Sequence, residues 1–370
     1  MPAASTPRRE MRRPCSSSPR QVVSRYCAIF AAGSVVALSV VVLWSGGVGS
    51  AAGSLAIRVE GNRLVDGNGR SVRLLGVNRS SFEYACAQGW GMWVGPTDRT
   101  AIAAMKTWRI NVVRLPLNEA CWLGLRTVKP QYRAGPYRRA VLAYVRRLHD
   151  AGLYVIVDLH WNASGNQRAL EQQRDADADH SSAFWRSVAA AFLGDRAVLF
   201  DLYNEPHDIS WSCWRDGCNT PEGWKAAGMQ QLVNAVRSTG SKQPLLLGGL
   251  NWANDLSGWL RWRPRDPARQ LVAAVHVFET NACGAEPCWS SVIGQVAKRV
   301  PVVTGEIGQG RCAHDFIDSY MSWADAHGIS YLAWAWNVWG CELPGLIKDW
   351  KGTPTAAYGE GFRAHLVALK

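Results

Sequence analysis

The chain has 370 residues, 48% hydrophobic and 19% charged, too apolar for a disordered polymer and long enough for one large core or two modest ones. Lys and Arg total 41 against 29 acidic residues, a net charge of +12, but no long basic block occurs, so nucleic-acid binding has no support and only a weak attraction to anionic surfaces is implied. Of the 19 tryptophans, 18 follow residue 54, more than one core ordinarily needs, which points to an aromatic-lined groove.

The first 54 residues hold six Arg and one Glu, leaving +7 spread over the other 316. Arg8, Arg9, Arg12, Arg13, Arg20 and Arg25 form a basic leader, followed by the uncharged apolar run 26–44 and by small residues, where Ser50 and Ala52 suit a signal-peptidase site. The run is 19 residues, long enough also to span a bilayer, so a cleaved signal peptide and a retained membrane anchor both remain open for 1–54. In either case the positive-inside rule sends the body, 55–370, out of the cytoplasm.

From Ile57 the body alternates short apolar strands with helical stretches. Residues 57–72 predict a small hairpin around Asp66-Gly67-Asn68-Gly69. Strands are then expected at 74–78, 112–117, 154–160, 198–204, 245–250, 272–278, 302–306 and 331–336. Helical patterns fall between them at 97–108, 137–151, 181–192, 221–238, 290–298 and 313–327, with a last helix after Pro354. The strands are near-continuous apolar runs, as in a parallel sheet covered by helices, and eight of them predict a single-domain (β/α)8 TIM barrel. An open doubly wound sheet gives the same alternation, but no Gly-rich phosphate fingerprint follows the first strand.

Polar residues recur where the strands finish: Arg114 and Asn118, Asp158 and His160, Asn204-Glu205-Pro206-His207, His276, Glu306, and Trp334 with Trp336 and Asn337. In a barrel these ends converge on the face that carries catalysis. The eight body cysteines, Cys86, Cys121, Cys213, Cys218, Cys283, Cys288, Cys312 and Cys341, also fall after strands, and an even number in an exported chain implies disulfides. Sequence alone does not choose among the 105 possible connectivities. The expected pairing is Cys86–Cys121, Cys213–Cys218, Cys283–Cys288 and Cys312–Cys341, each bracing one loop or two adjacent ones of the C-terminal face. Zinc is the competing reading of the two C-x4-C pairs, but no second pair or His completes either site, and no other cofactor motif occurs.

Glu205 and Glu306 are expected to face each other across the barrel mouth. Two carboxylates suffice to cleave a glycosidic bond: one protonates the leaving oxygen, and the other traps or stabilises the oxocarbenium-like centre. Taken singly, His160 and His276 could equally be core histidines, Arg114 could serve a structural carboxylate, and Trp336 could be packing.

These residues resemble glycoside hydrolase family 5, the cellulase group of the clan of retaining (β/α)8 glycosidases, from about Leu74 to Trp336. The strongest pieces are Leu202-Tyr-Asn-Glu-Pro and Val303-Thr-Gly-Glu306-Ile-Gly. The resemblance implies Glu205 as acid/base and Glu306 as nucleophile, with Asn204 on the sugar 2-hydroxyl and Arg114 orienting the nucleophile. It also implies that His160 and His276 line the cleavage subsites and that Trp336 is the platform under the sugar ring. The family usually carries a Tyr two residues after the strand-six His, whereas here the segment reads His276-Val-Phe278. Loss of that hydroxyl is expected to cost about 1.5–3 kcal/mol at the nucleophile and to raise its pKa.

The implied function is hydrolysis of a β-1,4-linked glucan by an exported, monomeric endoglucanase. A mannan, another β-glucan or a glycolipid headgroup fits the same chemistry. A surface carbohydrate-binding protein with weak turnover is the alternative of another class, raised by Phe278. No nucleic-acid partner is expected, and membrane contact only through the leader.

Overall fold

In the computed structural model, residues 55–369 are described; the expected leader, 1–54, lies outside them. Among the described residues no helix is long and apolar enough to cross a membrane.

The chain opens with the antiparallel hairpin β1 (Ile57–Glu60) and β2 (Arg63–Asp66), which turns at Gly61-Asn62. The turn expected at Asp66–Gly69 is present too, as a second reversal: Asp66 Oδ1 accepts from the Asn68 and Arg70 amides, and Val65 pairs with Ser71. Then come the strands of the barrel: β3 (Leu75–Asn78), β4 (Val112–Asn118), β5 (Tyr154–Trp161) and β6 (Val198–Asp201). A two-residue ribbon of β7 (Cys218–Asn219) and β8 (Lys225–Ala226) interrupts the series. β9 (Leu245–Gly248), β10 (Leu271–Phe278), β11 (Val302–Gly308) and β12 (Ser330–Ala333) complete it. All barrel pairs are parallel, and β12 returns to β3, so the sheet is closed, as the run of eight apolar strands predicts.

Outward-facing strand residues such as Val113, Val157, Phe200 and Val275 join the core shared with the helices. Alternate residues fill the barrel: Val112, Ile156, Leu199, Leu246, Ala274, Val303 and Leu332 form a separate apolar layer with Ile57 and Leu64 of the hairpin. Side chains on one strand face repeat every second residue. Two positions above Val112, Ile156, Leu199 and Ala274 stand Arg114, Asp158, Asp201 and His276, all buried. The barrel interior thus changes from apolar to charged in one step along each of four strands, and the charged layer forms the floor of the mouth.

The longer covering helices are Arg99–Lys106, Gly135–Asp150, Ser181–Ala191, Met229–Arg237, Asp315–Ala326 and Tyr358–Ala368. The helix expected over 221–238 starts only at Met229. Thr220-Pro221-Glu222-Gly223 is instead a tight turn, with the Gly223 amide donating to Thr220 O, and it closes the β7–β8 ribbon. Proline read as a first helical residue is equally at home in the second position of such a turn. The four expected disulfides all form, tying loops that follow β3 and β4, β6, β10, and β11 and β12.

Candidate active site

The mouth is organised around Arg114, a fully buried guanidinium. Its Nη1 donates to Glu306 Oε1 at 2.8 Å and to Asn78 Oδ1 at 2.9 Å; its Nη2 donates to Asn204 Oδ1 at 2.8 Å. Asp201 Oδ2 lies 3.0 Å from Nε, and Asp158 Oδ2 lies 3.2 Å from Nη2. One cation cannot neutralise three buried carboxylates. Burial, with mutual repulsion at Asp201, raises Asp158 to about 7 and Asp201 to about 8, so protons complete the balance near neutral pH. Burial presses against the charged form of Arg114, but these anions outweigh it and raise its pKa.

Glu205 and Glu306 meet above this layer. Beyond Asp201 the chain leaves the regular ladder, but its amides stay paired, Leu202 to Leu246 O of β9 and Asn204 to Leu159 O of β5. Pro206 has no amide to continue the ladder, and the segment turns out with Glu205 at its tip. Glu306 sits at an irregularity where His276 pairs with Glu306 although Val275 pairs with Thr304, so Gly305 is skipped. Such a bulge re-aims the side chain beside it. A Cβ at 305 would lie 2.9 Å from His276 Nε2 and would push that ring from its place, so the glycine lets the ring approach.

His276 stands between the carboxylates, with Nδ1 2.8 Å from Glu205 Oε1 and 3.8 Å from Glu306 Oε2. One ligand-type atom from each of the three residues lies within 4.8 Å of the others. The 2.8 Å Nδ1–Oε1 contact is a direct hydrogen bond. Burial lowers His276 to about 3, so the ring is neutral; the tautomer with its proton on Nδ1 donates to an ionised Glu205. Burial also lowers His160 to about 4; its Nδ1 contacts Asp158 Oδ2 at 2.7 Å. Glu205 and Glu306 are both raised above the ordinary carboxyl range, chiefly by burial. At Glu306 repulsion from Glu205 adds to this, while His276 and Arg114 oppose it.

The structure corrects one site residue. Trp336 is fully buried, packed edge-on against Trp108 at 4.9 Å, and is not a platform in the mouth. In a continuing strand Trp334 and Trp336 would share a face, but β12 ends at Ala333. The Trp334 amide reaches Ile307 O, and that of Trp336 reaches Asn78 O. The partly buried Trp334 stacks instead on His160 at 5.5 Å and 8°. From it a row of rings runs along the rim through Trp339 at 6.2 Å and Tyr84 at 6.4 Å to Trp161 and Trp90, 6.1 and 5.8 Å from Tyr84. Across the mouth the exposed Trp252 stacks on His207 at 3.7 Å.

The profile of the cellulase family (glycosyl hydrolase family 5) matches residues 65–340. The chain belongs to this family. Among relatives of this family 5 chain, a mannan endo-1,4-beta-mannosidase of Streptomyces lividans is 24% identical over 314 residues, covering 82% of the chain and 72% of the relative. An endoglucanase of Paenibacillus polymyxa is 22% identical over 330 residues, covering 78% and 82%. A beta-glucanase from Saccharophagus degradans, solved in complex with cellotetraose, superposes with a TM-score of 0.67 at 19% identity, over 85% of this chain and 93% of that one. The family 5 chain is a glycosyl hydrolase, and its relatives act on both glucan and mannan.

Of the residues anticipated for the site, Arg114, His160, Asn204, Glu205, His276 and Glu306 come together and Trp336 does not. Phe278 lies over Gly308, where a Cβ would meet its ring at 2.3 Å, and among the described residues no hydroxyl donates to Glu306. Three further residues of the mouth, Asn78, Asp201 and Gln172, are not among those anticipated, and Trp334 is anticipated only as a strand-end residue. Asn78 and Asp201 were legible as polar residues ending apolar strands. Gln172 belongs to the long loop after β5 and had no signal at all.

Proposed function

We propose that residues 55–370 are the catalytic domain of an exported endo-β-1,4-glycosidase acting on a glucan by double displacement, with Glu205 as acid/base and Glu306 as nucleophile. The observation that carries this is the approach of the two carboxyl groups to within 4.8 Å, bridged by His276. Separations of about 5–5.5 Å belong to retaining enzymes, whereas inversion needs room for a water between the groups. Arg114 contacts Glu306 directly and supports its ionised form, while the more remote Glu205 is the carboxyl better suited to hold the proton. Glu205 then gives that proton to the glycosidic oxygen as Glu306 attacks the anomeric carbon and the C–O bond breaks. In the second step Glu205, now ionised, takes a proton from water, which displaces Glu306 from the sugar. Asn204 would hold the 2-hydroxyl, and Trp334 would underlie the ring.

Four disulfides suit an oxidising compartment, in agreement with a leader over 1–54 that exports the domain. Mannan is the second reading, favoured by the Streptomyces lividans relative. The test is reducing-sugar release from soluble β-glucans and mannans by the disulfide-bonded chain beside Glu306→Ala and Glu205→Gln. Each variant is expected to lose about 10³-fold or more with the fold kept. The polymer cleaved by the wild type alone names the substrate. Binding of oligosaccharide without release from any polymer favours the non-catalytic alternative.

A further inference from the structure

The loop from Asn162 to His180 brings a side chain to the acid/base that the reaction scheme above does not use. Gln172 Nε2 donates to the Glu205 backbone oxygen at 3.1 Å and to Glu205 Oε2 at 3.3 Å, while its Oε1 accepts from Asn204 Nδ2 at 2.5 Å. Charge logic fixes these amide orientations. Arg114 is donor-only, so Asn204 must turn its oxygen to Arg114 and its nitrogen to Gln172. Both Glu205 atoms facing Gln172 accept when the carboxyl is ionised, so Gln172 must offer them its nitrogen. A directed chain therefore runs from Arg114 through Asn204 and Gln172 to Glu205, and the guanidinium that touches Glu306 directly reaches Glu205 through two amides.

The loop is held on both sides of Gln172. Asn118 Nδ2 donates to Ala169 O at 2.8 Å, Tyr203 Oη donates to Gln173 O at 2.6 Å, and the His207 amide donates to Arg174 O at 2.9 Å. Tyr203 and His207 flank Glu205 in sequence, so the loop and the segment that carries Glu205 are hydrogen-bonded to each other on both sides of it.

We infer that Gln172 is a positioning residue of the acid/base, holding the Glu205 carboxyl in place and orienting the Asn204 amide beside it. This rests on the proposed roles of Glu205 and Asn204. The other charged or titratable groups around Glu205 are His276 and Glu306 from β10 and β11, Arg114 from β4, Asp158 and His160 from β5, Asp201 from β6, and His207. Gln172 supports the ionised form of Glu205 against burial.

The test compares the pH profile of kcat/KM for the full chain, Gln172→Met and Gln172→Glu on the polymer that the wild type cleaves. The basic limb reports loss of the acid's proton in the free enzyme. Gln172→Met removes all three hydrogen bonds; its basic limb should move up by about half to one pH unit, with kcat lower by about tenfold. Gln172→Glu keeps the acceptor for Asn204 but places a like charge against Glu205, so its limb should move further up. A lower kcat with the limb unmoved in both variants means that Gln172 only packs the loop, and overturns the inference while leaving the proposed function intact. A wild type inactive on every polymer overturns the proposed function, and this inference with it.

Discussion

Trp334 and Trp336 show how a single residue's role depends on where a strand stops. The two rings are separated by one alanine, yet one is only partly buried against His160 and the other is fully buried against Trp108. Trp334→Ala should lower kcat/KM by about tenfold or more through loss of the sugar platform, with the melting temperature little changed. Trp336→Ala should cost about 3–5 kcal/mol of stability while leaving kcat of the folded enzyme near wild type. Steady-state kinetics and thermal melts on both variants check this, and a reversal of the two outcomes would return the platform to Trp336. Phe278 is a second such case. Without a hydroxyl there, Glu306 relies on Arg114 and a more distant His276, and its pKa is raised mainly by burial.

At the scale of elements, the barrel was legible because its strands are fully buried runs, which leave a clear trace in sequence. β4 and β5 illustrate this: apart from the half-buried Trp161, every residue of both is buried, including Arg114 and Asp158. Strand ends were less legible. The segment after β6 keeps its hydrogen bonds but splits them between two neighbours, so Asn204 reads as strand in sequence and is not one in the fold. Loops left the weakest trace, since their course is set by scattered side-chain contacts and not by a period. The 221–238 helix begins only at Met229 because Pro221 and Gly223 serve a turn, and Gln172 leaves no trace because anchors at Asn118, Tyr203 and His207, distant in sequence, bring it to Glu205. Loop bracing was readable, by contrast, because each pair of cysteines lies within one loop or in two adjacent ones.

For the whole molecule, the buried charged layer makes stability depend on pH. Burial raises Asp158 to about 7 and Glu83, Asp175 and Asp201 to about 8, above their unfolded values. The folded state therefore binds more protons at these groups, and their contribution is lost as pH rises through about 7 to 8. His160 and His276 act oppositely: lowered to about 4 and about 3, they favour the fold above the unfolded histidine pKa and oppose it as pH falls. Below about pH 6.5 the two sets partly cancel, whereas above it only the carboxyls still change. The melting temperature should thus fall between about pH 6.5 and 8. Calorimetry across that range in one ionic strength tests this, and a melting temperature that rises through it would mean that these carboxyls are ionised in the fold.

The most direct test of the central claim is mass spectrometry of the chain after incubation with a 2-deoxy-2-fluoro-glycoside of the cleaved sugar bearing a good leaving group. The fluorine slows the second displacement, so a retaining enzyme accumulates its covalent intermediate. The expected result is one added sugar on the peptide containing Glu306, with no label in Glu306→Ala. A label on any other residue, or turnover of the natural polymer with inversion at the anomeric carbon and no adduct, would contradict the assignment of Glu306 as nucleophile.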